Sequence, residues 1–195
     1  SAELWISEYG YDWAVDPGRM IGRRLQIAQD YFAQLGTPPA GSFIEKFIHI
    51  LNAFRDYWDP IPAERVRTFK VDEILNINGT NWQSIYAPGH CINQICLYEP
   101  TSKTLIAADM ILYLAPSPVI DPALEAPYQR VKALPILLDS FAKFKKLKVE
   151  IVYPGHYAPI TDYYDLIDRQ VARIHSRIEE CYQLVKGGTA QFWAL

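Results

Sequence analysis

The chain contains one short motif twice, each time after an apolar run that is typical of a β-strand. The motif is Pro-Gly-His, and it ends on His90 and again on His156. Because proline fixes φ and glycine adopts conformations that other residues avoid, each motif predicts a sharp corner with a histidine at a strand end. A third apolar run, residues 104–108, ends on Asp109. We therefore expect the three side chains to meet along one edge of a sheet.

The residue types at these positions are those that bind metal ions. A neutral imidazole is a good ligand for zinc or iron, and a carboxylate suits a hard cation and can bridge two of them. Asp109 also follows an apolar run that predicts a buried strand, where a carboxylate needs a compensating partner. Each motif alone is typical of an ordinary turn, so the interpretation depends on all three occurring together.

The order of the motifs resembles the second half of the metallo-β-lactamase-fold hydrolases. Those chains have a strand, Pro-Gly-His, a strand that leads to aspartate, then a helix, a strand and a second Pro-Gly-His. The counterparts here are residues 87–91, 107–109 and 154–156, and the resemblance extends from residue 65 to the C-terminus. It implies a layered α+β fold, the second half of an αββα sandwich, with an antiparallel-rich sheet, flanking helices and a long C-terminal helix.

The resemblance also implies roles for the three residues. His90, Asp109 and His156 are expected as metal ligands, with one cation on each histidine and Asp109 as the bridging, catalytic carboxylate. Two zinc ions are expected per intact domain, with iron or manganese as alternatives. Such ions would activate water for attack on an ester, thioester, lactone or phosphodiester bond of a small-molecule substrate.

One family motif is missing from the sequence. Members carry His-x-His-x-Asp-His in their first half, whereas the other histidines here are His49 and His175, which we interpret as surface residues. We expect residues 1–160 to be a domain truncated at its N-terminal half, and residues 161–195 a helix leading into a missing winged-helix-like appendage. On this view the piece is inactive, with partial or no metal occupancy. Because a missing sheet exposes apolar surface, we expect a homo-oligomer or association with the missing half.

Two other functions stay open: an RNA-processing nuclease of the same fold, or a non-catalytic interaction fragment. The formal net charge of −3 does not favour nucleic acid, and the lysines of residues 143–148 are interpreted as a solvated helix face. The sequence contains no apolar run of about 18 residues, so no membrane-spanning helix is predicted. The three cysteines lack C-x-x-C spacing and indicate reduced thiols in the cytoplasm, with Cys91 as a packing residue beside His90.

Periodicity and turn residues predict the remaining elements. Within residues 3–14 we expect a short amphipathic helix that ends at Gly10. Further helices are expected over residues 17–35, 43–58 and 137–147, and from Thr161 or Asp162 to the glycines at 187–188. Strands are expected over residues 67–71, 74–77, 82–86, 94–98, 104–108 and 149–153. Asp16 and a Ser42–Glu45 capping box begin the second and third helices. The proline-rich residues 110–127 predict an irregular loop beside the site. Tyr113 there is either a pocket residue or buried, and Tyr157 is expected to cover the metal or lean into the pocket.

Overall fold

A five-stranded mixed sheet with two helices on one face forms the main layer of the computed structural model, which describes residues 2–36, 43–114 and 118–188. A smaller layer of two strands and three helices comes from the N-terminal third. Along the chain the elements are β1 (Leu4–Ser7), α1 (Tyr11–Val15), α2 (Pro17–Gln34), α3 (Phe43–Tyr57), β2 (Val66–Phe69), β3 (Ile74–Ile77), β4 (Thr80–Tyr86), β5 (Ile95–Glu99), β6 (Thr104–Ala108), α4 (Ala133–Phe144), β7 (Ile151–Pro154) and α5 (Tyr163–Lys186).

The sheet has the strand order β3-β4-β5-β6-β7. The first four strands form the predicted antiparallel meander, and the Asn78-Gly79 turn that joins β3 to β4 has positive φ at both residues, as a two-residue hairpin requires. Strand β7 then pairs parallel to β6 after a crossover that contains α4. As a result, β4, β6 and β7 all run in the same direction, and their carboxyl ends lie at one edge.

The core lies between the sheet and helices α4 and α5. Alternate residues of the central strands face these helices and are buried, as period-two patterning requires. Helix α4 buries Leu137, Phe141 and Phe144, and α5 buries Tyr163, Leu166 and Ile167 near its start and ends at Lys186. The cluster includes Ile85, Cys96, Tyr98, Leu105, Ala107, Leu137, Phe141, Phe144, Val152, Tyr163, Leu166 and Ile167.

The opposite face of the sheet carries exposed apolar side chains near its β7 edge. Ile106 and Tyr153 are paired neighbours in β6 and β7, and their exposures are 39% and 45%. The expectation that further protein covers this face, from a second copy or the missing half, stays a prediction.

The helix expected within residues 3–14 is wrong over residues 4–7. Residues 4–7 form strand β1, which pairs parallel with β2, and a single 3-10 turn then leads into the short helix α1. The pattern is short enough to suit either structure, and pairing with a strand far along the chain decides between them.

Helix α2 begins as the sequence predicts. The carboxylate of Asp16 accepts a hydrogen bond from the backbone nitrogen of Arg19 (3.1 Å), and Pro17 occupies the first turn. Helix α3 packs against it through a small cluster that includes Ile21, Leu25 and Leu51. Ser42 of the predicted capping box lies outside the described residues, as do residues 115–117 and 189–195.

The remaining surface agrees with several predictions. His49 and His175 are exposed. The described part of residues 110–127 is irregular, as predicted. The lysine face is exposed, but Lys145 pairs with Asp168, and the Nζ of Lys143 donates to the Tyr86 carbonyl oxygen (2.6 Å). Within the described ranges, no helix combines the length and apolar character needed to cross a bilayer.

Leu105 tests this account of the core. It is fully buried in β6, so Leu105→Ala should lower the free energy of unfolding by about 2–5 kcal/mol, because the contacts of a buried leucine are lost and a cavity remains. Leu184 on α5 is 46% exposed, and Leu184→Ala should change it by less than about 0.5 kcal/mol. Chemical denaturation monitored by circular dichroism measures both values. Equal effects at the two positions would contradict this assignment of the core.

Candidate metal centre

The three predicted residues follow the three strands that run in the same direction. His90 comes after β4, Asp109 directly after β6 and His156 two residues after the end of β7. Because these carboxyl ends share an edge, residues far apart in the sequence become neighbours, as the sequence predicts.

The loop that carries His90 is fixed by backbone geometry and by packing on α4. Gly89 has φ +150°, and a Cβ there would lie 2.8 Å from the Cα of Leu137. Glycine is thus required both for the backbone conformation and for the close approach. The hydroxyl of Ser140 donates to the carbonyl oxygen of Pro88 (2.6 Å), which attaches the corner to the same helix.

Two further contacts close this loop. The hydroxyl of Tyr86 donates to the carbonyl oxygen of Ile92 (2.7 Å), and the backbone nitrogen of Ile92 donates to Oδ2 of Asp121 (2.8 Å). The loop is therefore held on both sides, and His90 has a defined position with 27% of its side chain exposed.

Asp109 is directed by an unusual backbone at the end of β6. A register shift occurs between Ile106 and Ala108, and Ala108 has φ +45°, a conformation uncommon for a residue with a Cβ. The backbone nitrogen of Gly155 donates to the Ala108 carbonyl oxygen (2.9 Å), so β7 supports this turn. A Cβ on Gly155 would lie 2.2 Å from Oδ1 of Asp109. The carboxylate thus occupies space that exists because residue 155 has no side chain.

His156 completes the edge and is more open to solvent, with 66% of its side chain exposed. The next residue, Tyr157, has φ +72°, and its ring approaches the imidazole edge-on at 6.4 Å between centroids. Tyr157 and Tyr113 are both exposed and line a separate cavity of about 300 Å³. Burial of Tyr113, one of the two alternatives, is therefore wrong.

The carboxylate of Asp109 lies between the two imidazoles. Its Oδ2 is 3.6 Å from Nε2 of His90, and its Oδ1 is 3.5 Å from Nε2 of His156. These separations are too long for strong hydrogen bonds. Two ligands at about 2.1 Å from a tetrahedral cation lie about 3.4 Å apart, so each pair has the spacing of two donors on one ion.

The donor types fit divalent cations, but the donor number is incomplete. Imidazole nitrogen and carboxylate oxygen suit zinc, iron and manganese. Each carboxylate oxygen is near one histidine only, whereas a closed site normally has four donors. In the part of the chain that the structure describes, no cluster of three or more His, Cys, Asp or Glu side chains has the geometry of a complete metal site. Any metal held here requires further ligands.

A cavity of about 570 Å³ lies beside this edge, and His90 and Asp109 both line it. Its other wall comes from the N-terminal layer and includes Leu4, Ile6 and Trp13. His156 is not part of the lining. The cavity is large enough for a small molecule placed next to two of the three predicted ligands.

Arg24 and Asp121 also line this cavity, and the sequence analysis missed both. Nε of Arg24 lies 3.0 Å from Oδ1 of Asp121, and both side chains are largely buried. The pair connects α2, the proline-rich loop and, through Ile92, the loop of His90. No sequence motif marks it, because the contact joins segments almost 100 residues apart.

Cys91 packs beside the site as predicted. Its Sγ donates to Oε1 of Gln94 (3.6 Å), and burial, followed by the nearby Asp121 carboxylate, raises the pKa of the thiol to about 12. Cys91, Cys96 and Cys181 are all free thiols.

Comparison with solved structures identifies the fold. A metallo-β-lactamase family protein from Thermus thermophilus superposes with a TM-score of 0.67 and 20% identity, covering 92% of this chain and 55% of that chain. A β-lactamase domain protein from Burkholderia ambifaria gives 0.65 and 20%, covering 92% and 48%. The chain therefore shares the metallo-β-lactamase fold, which confirms the layered α+β fold that the resemblance implies.

Comparison with curated proteins finds a relative whose name refers to a metallo-hydrolase. The chain is 29% identical over 161 residues to a protein of Bacillus subtilis (strain 168) named "Probable metallo-hydrolase YqjP", covering 80% of this chain and 47% of that protein. No protein-family model matches the sequence. The chain thus spans about half the length of the relatives that it matches.

Gly155→Ala tests how the carboxylate is placed. The new methyl group would overlap Oδ1 of Asp109, so we expect the carboxylate to rotate away and its contact with His156 to open. Gly18→Ala is the control, because a Cβ at Gly18 meets no atom within 4 Å. Crystal structures of the two variants measure the distance. An unchanged contact between Asp109 and His156 in Gly155→Ala would contradict this account.

Proposed function

We propose that this chain forms part of a metal-dependent hydrolase, with His90, Asp109 and His156 as metal ligands. The observation that carries the proposal is the position of the Asp109 carboxylate, which directs one oxygen toward each imidazole. A carboxylate that only capped a strand would not need two histidines on its two oxygens. The superfamily and the name of the Bacillus subtilis relative support the same class of function.

Each residue has a distinct role in this proposal. His90 and His156 would each hold one cation, and Asp109 would be the ligand that the two cations share. Divalent cations held by these residues would supply a metal-activated water as the nucleophile. The fixed loop of His90 and the glycine at position 155 keep these donors in place before any substrate arrives, so little reorganisation is required.

Zinc is the proposed metal, with iron and manganese as alternatives, since all three accept imidazole and carboxylate ligands. The proposed reaction is hydrolysis of an ester, thioester, lactone or phosphodiester. A small-molecule substrate is supported by the open cavity of about 570 Å³ beside His90 and Asp109. RNA is less well supported, because Lys143 and Lys145 on the lysine face already make contacts within the chain.

Replacement of Asp109 tests the proposal. Asp109→Ala should lower zinc affinity by more than about 100-fold, because the shared donor is lost. Replacing a residue that only supports a metal ligand lowers affinity by up to about 100-fold, and loss of a ligand should exceed that. Isothermal titration calorimetry on this chain measures affinity and stoichiometry. In the full-length protein that contains this chain, hydrolysis of aryl esters should fall with metal content.

His175→Ala is the matched control, because that histidine is exposed on α5, far along the chain from all three proposed ligands. It should bind zinc as the unaltered protein does. Unchanged zinc binding and turnover in Asp109→Ala would refute the assignment.

A further inference from the structure

Arg24 presents one side of its guanidinium to the protein and the other to the cavity. Its Nε donates to the carbonyl oxygen of Ile120 (3.4 Å) and lies 3.0 Å from Oδ1 of Asp121. Among the described residues, no hydrogen bond or ion pair engages its Nη1 or Nη2. A buried nitrogen without a hydrogen-bond partner would be an unsatisfied donor, and neither Nη1 nor Nη2 is one. Both nitrogens are therefore accessible from outside the protein interior. Because Arg24 lines the cavity, these donors are available to a molecule inside it.

The position of Arg24 suits a bound anion. Only 17% of its side chain is exposed, so water screens its charge less than on an open surface. The guanidinium is planar and can offer paired donors to a carboxylate. Asp121 holds the group through Nε and thereby fixes the direction of the remaining donors. An arginine held in this way loses little side-chain freedom when a ligand binds.

The other surfaces of the cavity restrict the ligand further. Leu4, Ile6 and Trp13 supply an apolar wall, which favours a ligand with an apolar body. Asp59 and Asp109 also line the cavity, so a singly charged anion is repelled less than a doubly charged phosphate.

We propose that Arg24 binds the carboxylate of the substrate, and that the substrate class is an apolar carboxylic acid bearing the bond to be cleaved. This inference rests on the proposed function, because it takes the cavity beside His90 and Asp109 as the substrate site. Arg24 is then a specificity-determining residue on a helix that supplies none of the three proposed metal ligands.

The test compares phenylacetate with phenylacetamide, which has nearly the same shape and no charge. Binding is followed by tryptophan fluorescence, since Trp13 and Trp58 line the cavity, with a chelator present so that metal does not contribute. At low ionic strength the protein should prefer the acid on the order of tenfold, as expected for a charge-assisted pair. Arg24→Gln should abolish this preference.

Arg23→Gln is the matched control. Arg23 is adjacent on α2, but its guanidinium stacks on the ring of Tyr128 at 3.9 Å and does not line the cavity. This variant should retain the preference for phenylacetate. An equal preference in Arg24→Gln and the unaltered protein would overturn the proposal, as would the absence of any preference.

A second measurement does not depend on a folded variant. In the unaltered protein, the ¹⁵N resonance of Arg24 Nε should shift on saturation with phenylacetate and not with phenylacetamide. Equal responses to both ligands would overturn the proposal. Neither measurement needs metal or turnover, so a failure here leaves the hydrolase proposal intact. Unchanged zinc binding in Asp109→Ala would refute the metal-ligand assignment and would not alter the carboxylate preference measured here.

Discussion

The common direction of β4, β6 and β7 is the constraint on which the candidate site depends. Three strands whose carboxyl ends share an edge bring together side chains that are far apart in the sequence. The antiparallel meander alone would place the ends of β4 and β6 there. The crossover through α4 adds β7 in parallel and thereby brings His156 to Asp109.

Close backbone contacts convert this common edge into a defined geometry. Gly89 lets the His90 corner lie directly on α4, and Gly155 leaves the space that the Asp109 carboxylate occupies. The bulge and positive φ before Asp109 turn its side chain toward that space. The site therefore results from places where the backbone has little room, and the ion pair of Arg24 and Asp121 supports it from the side of the cavity.

The sequence predicts the main layer well, because its signals are local. Pro-Gly corners, the Asn78-Gly79 turn and alternating strands are each encoded within a few residues, and the strand over residues 104–108 agrees at both ends. The helix expected within residues 3–14 is wrong over residues 4–7, because pairing with β2 makes that segment a strand. Arg24 and Asp121 could not be predicted, since nothing near either residue indicates its partner. The meeting of His90, Asp109 and His156 could be predicted only by combining strand order with residue chemistry.

The central proposal is that Asp109 would be shared by two cations, one held by each histidine. Anomalous diffraction at the zinc absorption edge, from crystals of the protein soaked in zinc, tests it most directly. The account predicts two peaks, each at about 2.0–2.2 Å from one oxygen of Asp109 and from Nε2 of His90 or His156. Zinc bound elsewhere, with no peak between the carboxylate and either imidazole, would contradict it.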